Sequence, residues 1–183
     1  MIHEGLTGLA PQSTLSAQPQ LLPSGALFLA NNIPAFPFVA TPQNLERVVE
    51  FIHNFPLAVT WNMTDNDVMN YVLSPGVVFI EIDNALMMID EINPGLSAHS
   101  GFLFWDRKVS GNEQLLKDAY RNVANMFQLE RIQCNVPSLN RIMYRMLEKI
   151  GFKLEGRLRN AFRVRDGRLI DTMIYGALPG ELA

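Results

Sequence analysis

Three side chains near the middle of the chain have the chemistry to move a proton. His99 carries the group whose ordinary pKa, about 6.5, suits a general base near neutral pH, and Glu81 and Asp90 are carboxylates able to take the same part. Each also has a plainer reading. A lone strand histidine serves packing, and the two carboxylates fit the solvated face of a sheet. The single Cys134 cannot form an intrachain disulfide and has no basic neighbour in sequence to activate it, so it reads as a small buried strand residue. Three histidines and one thiol make no metal-ligand spacing, and no metal is expected.

Those residues must be held by elements, and the hydrophobic pattern supplies them. Phe36 to Ala40 suits a first strand. Thr41-Pro42 then offers an N-cap and a proline at the first helical position, and Leu45, Val48, Val49 and Ile52 repeat at helical spacing until Pro56. Thr64 to Leu73 makes a second short helix, broken by Ser74-Pro75-Gly76. Val77 to Ile82 and Leu86 to Ile92 flank Asp83-Asn84 as an antiparallel hairpin, which carries Glu81 and Asp90.

His99 falls on the next strand, Ala98 to Trp105. A polar loop from Asp106 to Gly111 leads into a long helix, Asn112 to about Gln128, followed by a strand at Arg131 to Val136. Strand, helix and strand in that order predict a parallel pair with a right-handed crossover. Leu139, Ile142, Met143, Met146, Leu147 and Ile150 form the stripe of another helix, with Ser138 as a candidate N-cap and Gly151 as C-cap. Phe152 to Val164 and Leu169 to Leu178 surround Asp166-Gly167, a strong hairpin signal. In the first of these strands Phe152, Leu154, Leu158, Phe162 and Val164 share one parity, and Lys153, Arg157, Arg159, Arg163 and Arg165 take the other. Alternation predicts one core face and one basic face.

At 183 residues, 48% apolar and 18% charged, the chain fits one globular domain. A net charge of −3 gives no electrostatic reason to expect nucleic acid or an anionic membrane as partner. The start of the chain lacks the basic-then-apolar order of a signal peptide, and no apolar run reaches about 18 residues, so no membrane association is expected. With one cysteine, a soluble protein of a reducing, cytoplasmic compartment is the simplest expectation. Residues 1–35, rich in Gln, Ser, Pro, Ala and Leu, read as an N-terminal arm, either a flexible leader or one draped on its own domain, or else a segment bound to a protein partner. Residues 36–183 read as the domain.

From about Leu96 to Leu178 the order of elements and the words themselves resemble the GNAT superfamily of N-acetyltransferases. Leu129-Glu130-Arg131-Ile132, then Asn140, then Lys149-Ile150-Gly151-Phe152-Lys153-Leu154-Glu155-Gly156-Arg157-Leu158-Arg159 are similar to the branch that acetylates ribosomal-protein N-termini. The resemblance implies an α/β (α+β) fold with a central mixed, mostly antiparallel twisted sheet and helices on both faces, the cofactor half being residues 96–178. It implies transfer of acetyl from acetyl-CoA to an amine acceptor or a protein N-terminus, by direct attack in a ternary complex. The cofactor pyrophosphate would rest on N–H groups at the start of the helix near Gly111, where orphan donors and the helix dipole favour an anion. The family's Gln/Arg-x-x-Gly-x-Gly/Ala loop aligns with Lys108-Val109-Ser110-Gly111-Asn112-Glu113. Glu113 stands where the family has a small residue, and its carboxylate either competes for those donors or merely complements the helix end.

Asn140 matches the family asparagine that contacts the pantetheine arm, the plainer alternative being a polar residue in a first helical turn. The tyrosine that acts as acid in many members, four residues before the Gly of Gly-Phe, is replaced by Leu147, and Tyr144 lies at a different angular position. His99 falls beside the strand that lines the family's reaction centre. These departures keep open a second reading. In it the same fold serves as a catalytically degenerate binding module, a subunit of a larger assembly such as an intracellularly assembled viral particle, docked through residues 1–35.

Overall fold

The computed structural model describes residues 27–29, 33–37, 42–54, 64–74, 76–82, 85–104 and 111–182. The rest of the N-terminal arm, residues 38–40 of the expected first strand, and the loop 105–110 lie outside them. The elements in chain order are β1 (Leu27–Leu29), β2 (Ile33–Pro37), α1 (Pro42–Asn54), α2 (Asp65–Val72), β3 (Val78–Ile82), β4 (Ala85–Asn93), β5 (Ser97–Phe104), α3 (Glu113–Phe127), β6 (Arg131–Pro137), α4 (Arg141–Ile150), β7 (Lys153–Arg163) and β8 (Leu169–Ala177), closed by a 3-10 turn over Pro179–Leu182. The strands form one sheet in the order β1-β2-β3-β4-β5-β6-β8-β7. Among the described residues only β5 and β6 pair in parallel, joined by the α3 crossover; every other neighbour is antiparallel. The strand expected from Phe36 is β2 and begins earlier, at Ile33, because its first residues pair with β1 (Leu29↔Ile33, Phe28↔Pro34) before Ala35 to Pro37 pair with β3.

Local chemistry explains the element ends. Thr64 and Asp67 exchange hydrogen bonds in a capping box, Thr64 N donating to Asp67 Oδ2 (2.8 Å) and Asp67 N to Thr64 Oγ1 (3.2 Å), and so start α2. The turn from β4 to β5 closes with Leu96 N donating to Asn93 O (3.0 Å). Pro94 and Gly95 stand at its centre, and Gly95 takes φ +79°, as a type II turn needs at its third residue.

Alternation along the strands sends side chains to two cores. On one face Ile80, Ile82, Ala85, Met87, Ile89, Ala98, Phe102, Ile132, Cys134, Val136 and Tyr175 pack under α3 and α4. On the other, Phe79, Leu86 and Met88 pack against Val48 of α1 and Val68 and Val72 of α2. Helices thus cover both faces of a mixed sheet, as the sequence predicts.

The expected two-faced character of β7 does not hold. Leu154 pairs with Tyr175 but Gly156 pairs with Ile174, so Glu155 is an extra residue that reverses the alternation. Leu154 therefore lies on the α3/α4 face and Leu158, opposite Thr172, on the other. Each keeps about half of its surface exposed (52% and 48%), because β7 is the edge strand beyond the helices' cover. The displaced Glu155 takes up Arg131 of β6, which donates to both carboxylate oxygens, through Nη1 to Oε1 at 2.6 Å.

Gly151 ends α4 in the left-handed conformation, φ +110°, where an L side chain is strained. The same residue seats the closing turn, since a Cβ there would stand 2.2 Å from the carbonyl oxygen of Glu181. Leu182 beyond it is fully buried in the α3/α4 core. Gly151→Ala should therefore lose about 2–4 kcal/mol from strain and an unseated turn, a fall in Tm of roughly 5–15 °C by scanning calorimetry. Gly180→Ala is the control, since its Cβ would meet nothing within 4 Å. A Gly151→Ala variant melting with the wild type would refute this account of the turn.

Candidate functional site

The parallel pairing of β5 with β6 is short. Ser97, Ala98 and His99 face Arg131, Ile132 and Gln133, after which β5 continues to Phe104 and β6 to Pro137 without pairing. The backbone groups that line the opening need other partners. His99 provides one of them. Its Nε2 accepts the N–H of Asn135 at 3.2 Å, so the imidazole bridges the first step of the gap.

The ring is held from behind. His99 and Asp90 are directly opposed across β5 and β4, with His99 Nδ1 2.7 Å from Asp90 Oδ1. A backbone N–H can only donate, so Nε2 must be the acceptor and Nδ1 carries the proton of the neutral ring. Asp90 Oδ2 accepts a second hydrogen bond from the hydroxyl of Tyr71 on α2. Tyr71 is in turn set edge-on to Phe79 of β3, centroids 6.3 Å apart. Immediately after Asp90 the pairing slips, and Glu91 takes φ +49°, a bulge that ends the regular alternation beside this carboxylate.

Burial alone would raise the Asp90 carboxyl, but the hydrogen bonds from His99 and Tyr71 outweigh it and hold the group below the usual carboxylate range. Tyr71 is pushed up, first by burial and then by Asp90, so its hydroxyl remains a donor at neutral pH. The His99 and Asp90 side chains keep 23% and 20% of their surface exposed, enough for a small group to reach them and little enough to strengthen their pairing.

The other residues singled out in the sequence are placed as follows. Glu81 shares the α1/α2 face but pairs with Arg47 of α1 (3.7 Å). It lies two strands and four residue steps from His99, roughly 16 Å by ordinary strand spacing and rise. Lys108, Val109 and Ser110 lie outside the described residues. Gly111 is exposed, and Asn112 caps α3 by accepting Leu115 N at 3.1 Å. The N–H groups of Glu113 and Gln114, first in α3, have no hydrogen-bond partner among the described residues. The Glu113 carboxylate is drawn instead to Lys149 Nζ on α4, at 3.0 Å.

Asn140, rather than Ser138, caps α4, its Oδ1 accepting Met143 N at 3.1 Å, because α4 begins at Arg141 and Asn140 stands immediately before it. Leu147 is fully buried in the core, and the Tyr144 hydroxyl donates to Ser138 O. Cys134 faces the opposite side of the sheet from His99. It shares a buried contact with the Tyr120 hydroxyl (3.4 Å), and burial pushes its thiol up to about 12, so it is no nucleophile. Tyr71 and Lys149 were not singled out from the sequence, since nothing local marks a partner 19 or 36 residues away. Among the described residues there is no group of three or more His, Cys, Asp or Glu suited to a metal ion, and no helix long and apolar enough to cross a membrane.

No family model matches the chain, and no curated protein matches it in sequence. Solved structures do. A GNAT-family acetyltransferase from Bacillus anthracis superposes with a TM-score of 0.64 at 15% identity, over 85% of this chain and 100% of that one. Spermidine N-acetyltransferase from Vibrio cholerae, in complex with CoA and spermine, gives 0.63 at 17% identity, over 81% and 97%. Mycobacterium smegmatis RimJ, in complex with CoA-disulfide, gives 0.61 at 19% identity, over 86% and 88%. The chain has the GNAT acetyltransferase fold.

Because Asp90 is held below the usual carboxylate range, its contribution to stability is complete above about pH 4–5 and is lost as the pH falls through its folded-state pKa. Thermal melts of wild type and Asp90→Asn should accordingly differ most at pH 5, with the gap shrinking as the pH falls below about 4. A gap that stays constant over that range would show that the Asp90 carboxylate is not stabilised by its partners.

Proposed function

We propose that the protein transfers the acetyl group of acetyl-CoA to an amine, with His99 as the base. The observation that carries this reading is an imidazole held by Asp90 where strands β5 and β6 of a GNAT fold part. The N–H groups of Glu113 and Gln114 at the start of α3, which have no partner among the described residues, give it further support. Unpaired strand edges suit the amide-bearing pantetheine arm, which can hydrogen-bond to backbone as an added strand does. The N–H groups of Glu113 and Gln114, with Gly111 and Asn112 before them, would hold the pyrophosphate. The residues fit that ligand, because Lys149 draws the Glu113 carboxylate into an ion pair. Asn140 keeps its side-chain NH2 for the pantetheine arm while its oxygen caps α4.

In the reaction the acceptor nitrogen bonds to the thioester carbonyl carbon and the carbon–sulfur bond breaks. The proton lost by the amine goes to His99 Nε2, whose single lone pair must first turn off the Asn135 N–H, and Asp90 stabilises the imidazolium that results. With Leu147 buried in the core, no tyrosine occupies the usual acid position, and the thiolate takes its proton from water. The acceptor class is an amine, as in the spermidine enzyme with which the chain shares its fold, or a protein N-terminus. Ile174, Leu158 and Phe162, on the His99 side of β8 and β7, support the latter, because they offer an apolar shelf to a side chain rather than carboxylates to a polycation.

Isothermal titration with acetyl-CoA tests the reading, with binding expected in the micromolar to millimolar range. Absence of heat at millimolar ligand would sink it. Glu113→Gln should bind equally or up to about tenfold tighter, since one charge near a phosphate is worth on the order of 1 kcal/mol in water. Weaker binding by that variant would mean that the pyrophosphate does not rest at α3.

A further inference from the structure

We propose that Tyr71 and Asp90 are positioning residues for His99: Asp90 fixes the imidazole tautomer, and Tyr71, reaching from α2, fixes Asp90. Nε2 thereby keeps its lone pair on the Asn135 N–H, at the first step of the gap between β5 and β6. The argument is one of hydrogen-bond inventory. Asp90 has two carboxylate oxygens, and each is engaged by a different element: Oδ1 by His99 of β5 and Oδ2 by Tyr71 of α2. A carboxylate held at one oxygen can swing about its last torsion, whereas one held at both cannot. The ring it faces is then confined at Nδ1 by Asp90 and at Nε2 by the Asn135 N–H.

Both ends of this chain are fixed donors. Tyr71 keeps its phenolic proton, and the Asn135 N–H belongs to the backbone of β6. Between two fixed donors, one carboxylate and one imidazole can be satisfied in a single arrangement, with the proton on Nδ1. If the proton sat on Nε2, two N–H groups would point at each other and Nδ1 would have no donor to accept. Tyr71 is itself held by the Phe79 ring, so α2 acts through the second core on the base. Among the described residues, the charged or titratable groups around the ring are Asp90 and Glu91 from β4, Tyr71 from α2 and, behind β6, the Cys134 thiol. From β6 itself come the uncharged Gln133 and Asn135 and, through Gln133 Oε1, the Arg131 guanidinium at 3.4 Å from that oxygen.

The catalytic consequence rests on the acetyl-transfer reading, but the tautomer does not and is measured without any substrate. Long-range 1H–15N correlation spectra of the full chain, labelled with 15N, should show neutral His99 protonated at Nδ1, with that proton slow to exchange. In Tyr71→Phe, which keeps the ring against Phe79, the same proton should be lost to faster exchange and Nε2–H ring should become visible. In Asp90→Asn the Nε2–H tautomer should predominate. With an acetylatable amine found, Tyr71→Phe should lower kcat about tenfold and leave KM within about twofold, the loss of one hydrogen bond to a charged group.

Neutral wild-type His99 protonated at Nε2 would overturn the proposal, as would a Tyr71→Phe spectrum identical to that of the wild type. The expected spectra from a chain that binds no acetyl-CoA would uphold the positioning and remove the enzyme reading alone.

Discussion

Two neighbouring strands in the middle of the sheet run parallel, and a parallel pair can only be made by sending the chain over a crossover. That requirement accounts for α3, for the loop that must leave the end of β5, and for the place where the first N–H groups of a long helix emerge. Because β5 and β6 stay paired for three positions only, the same crossover produces an opening in the sheet at the end from which it departs. Buried backbone groups at such an opening are costly unless they find partners. The histidine at its apex offsets part of that cost by accepting the Asn135 N–H.

The two faces of the sheet divide the work. Under α3 and α4 lies the larger core, with the Tyr120 ring against Phe102 and Phe152 and its hydroxyl satisfied by Ser100 and Cys134. Under α1 and α2 lies a smaller one, whose last turn of helix carries a tyrosine instead of an aliphatic residue. That polar intrusion is tolerated because its hydroxyl ends on a carboxylate. A helix that covers apolar surface is thereby also tied to the chemistry of the strands beneath it.

The sequence exposed the fold where local rules decide it. The Thr64 cap, Gly151 and Asp166-Gly167 each mark a boundary through one residue's conformational preference, and helices and strands follow within a residue or two, while Thr41 and Asp83-Asn84 lie outside the described residues. The Gly-Phe and Glu-Gly words also acquire physical content. Gly151 admits the closing turn, Phe152 packs on Tyr120, and Glu155 bulges to reach Arg131. What remained hidden was long-range or register-dependent. Glu155 reverses the faces of β7, and alternation cannot reveal an inserted residue from inside one strand. Asp90 looked like a solvated sheet carboxylate because neither Tyr71 nor His99 is its neighbour in sequence. Glu113 looked damaging because Lys149 is 36 residues away.

The position of β8 between β6 and β7 bears on how the molecule assembles in time. β6 and β7 are made first, yet they share no backbone pairing, and both wait for the strand synthesised after them. Until it inserts, β6 shows a bare edge bearing Ile132, Cys134 and Val136, the kind of surface that recruits a strand from another chain. The tight Asp166-Gly167 hairpin shortens this interval, since β7 and β8 can zip locally and then dock as a unit. Nucleation of this half is therefore expected late, when most of the sheet already exists. Aggregation during synthesis would begin at β6, and the slowest step would be the closure of one ribbon onto one edge.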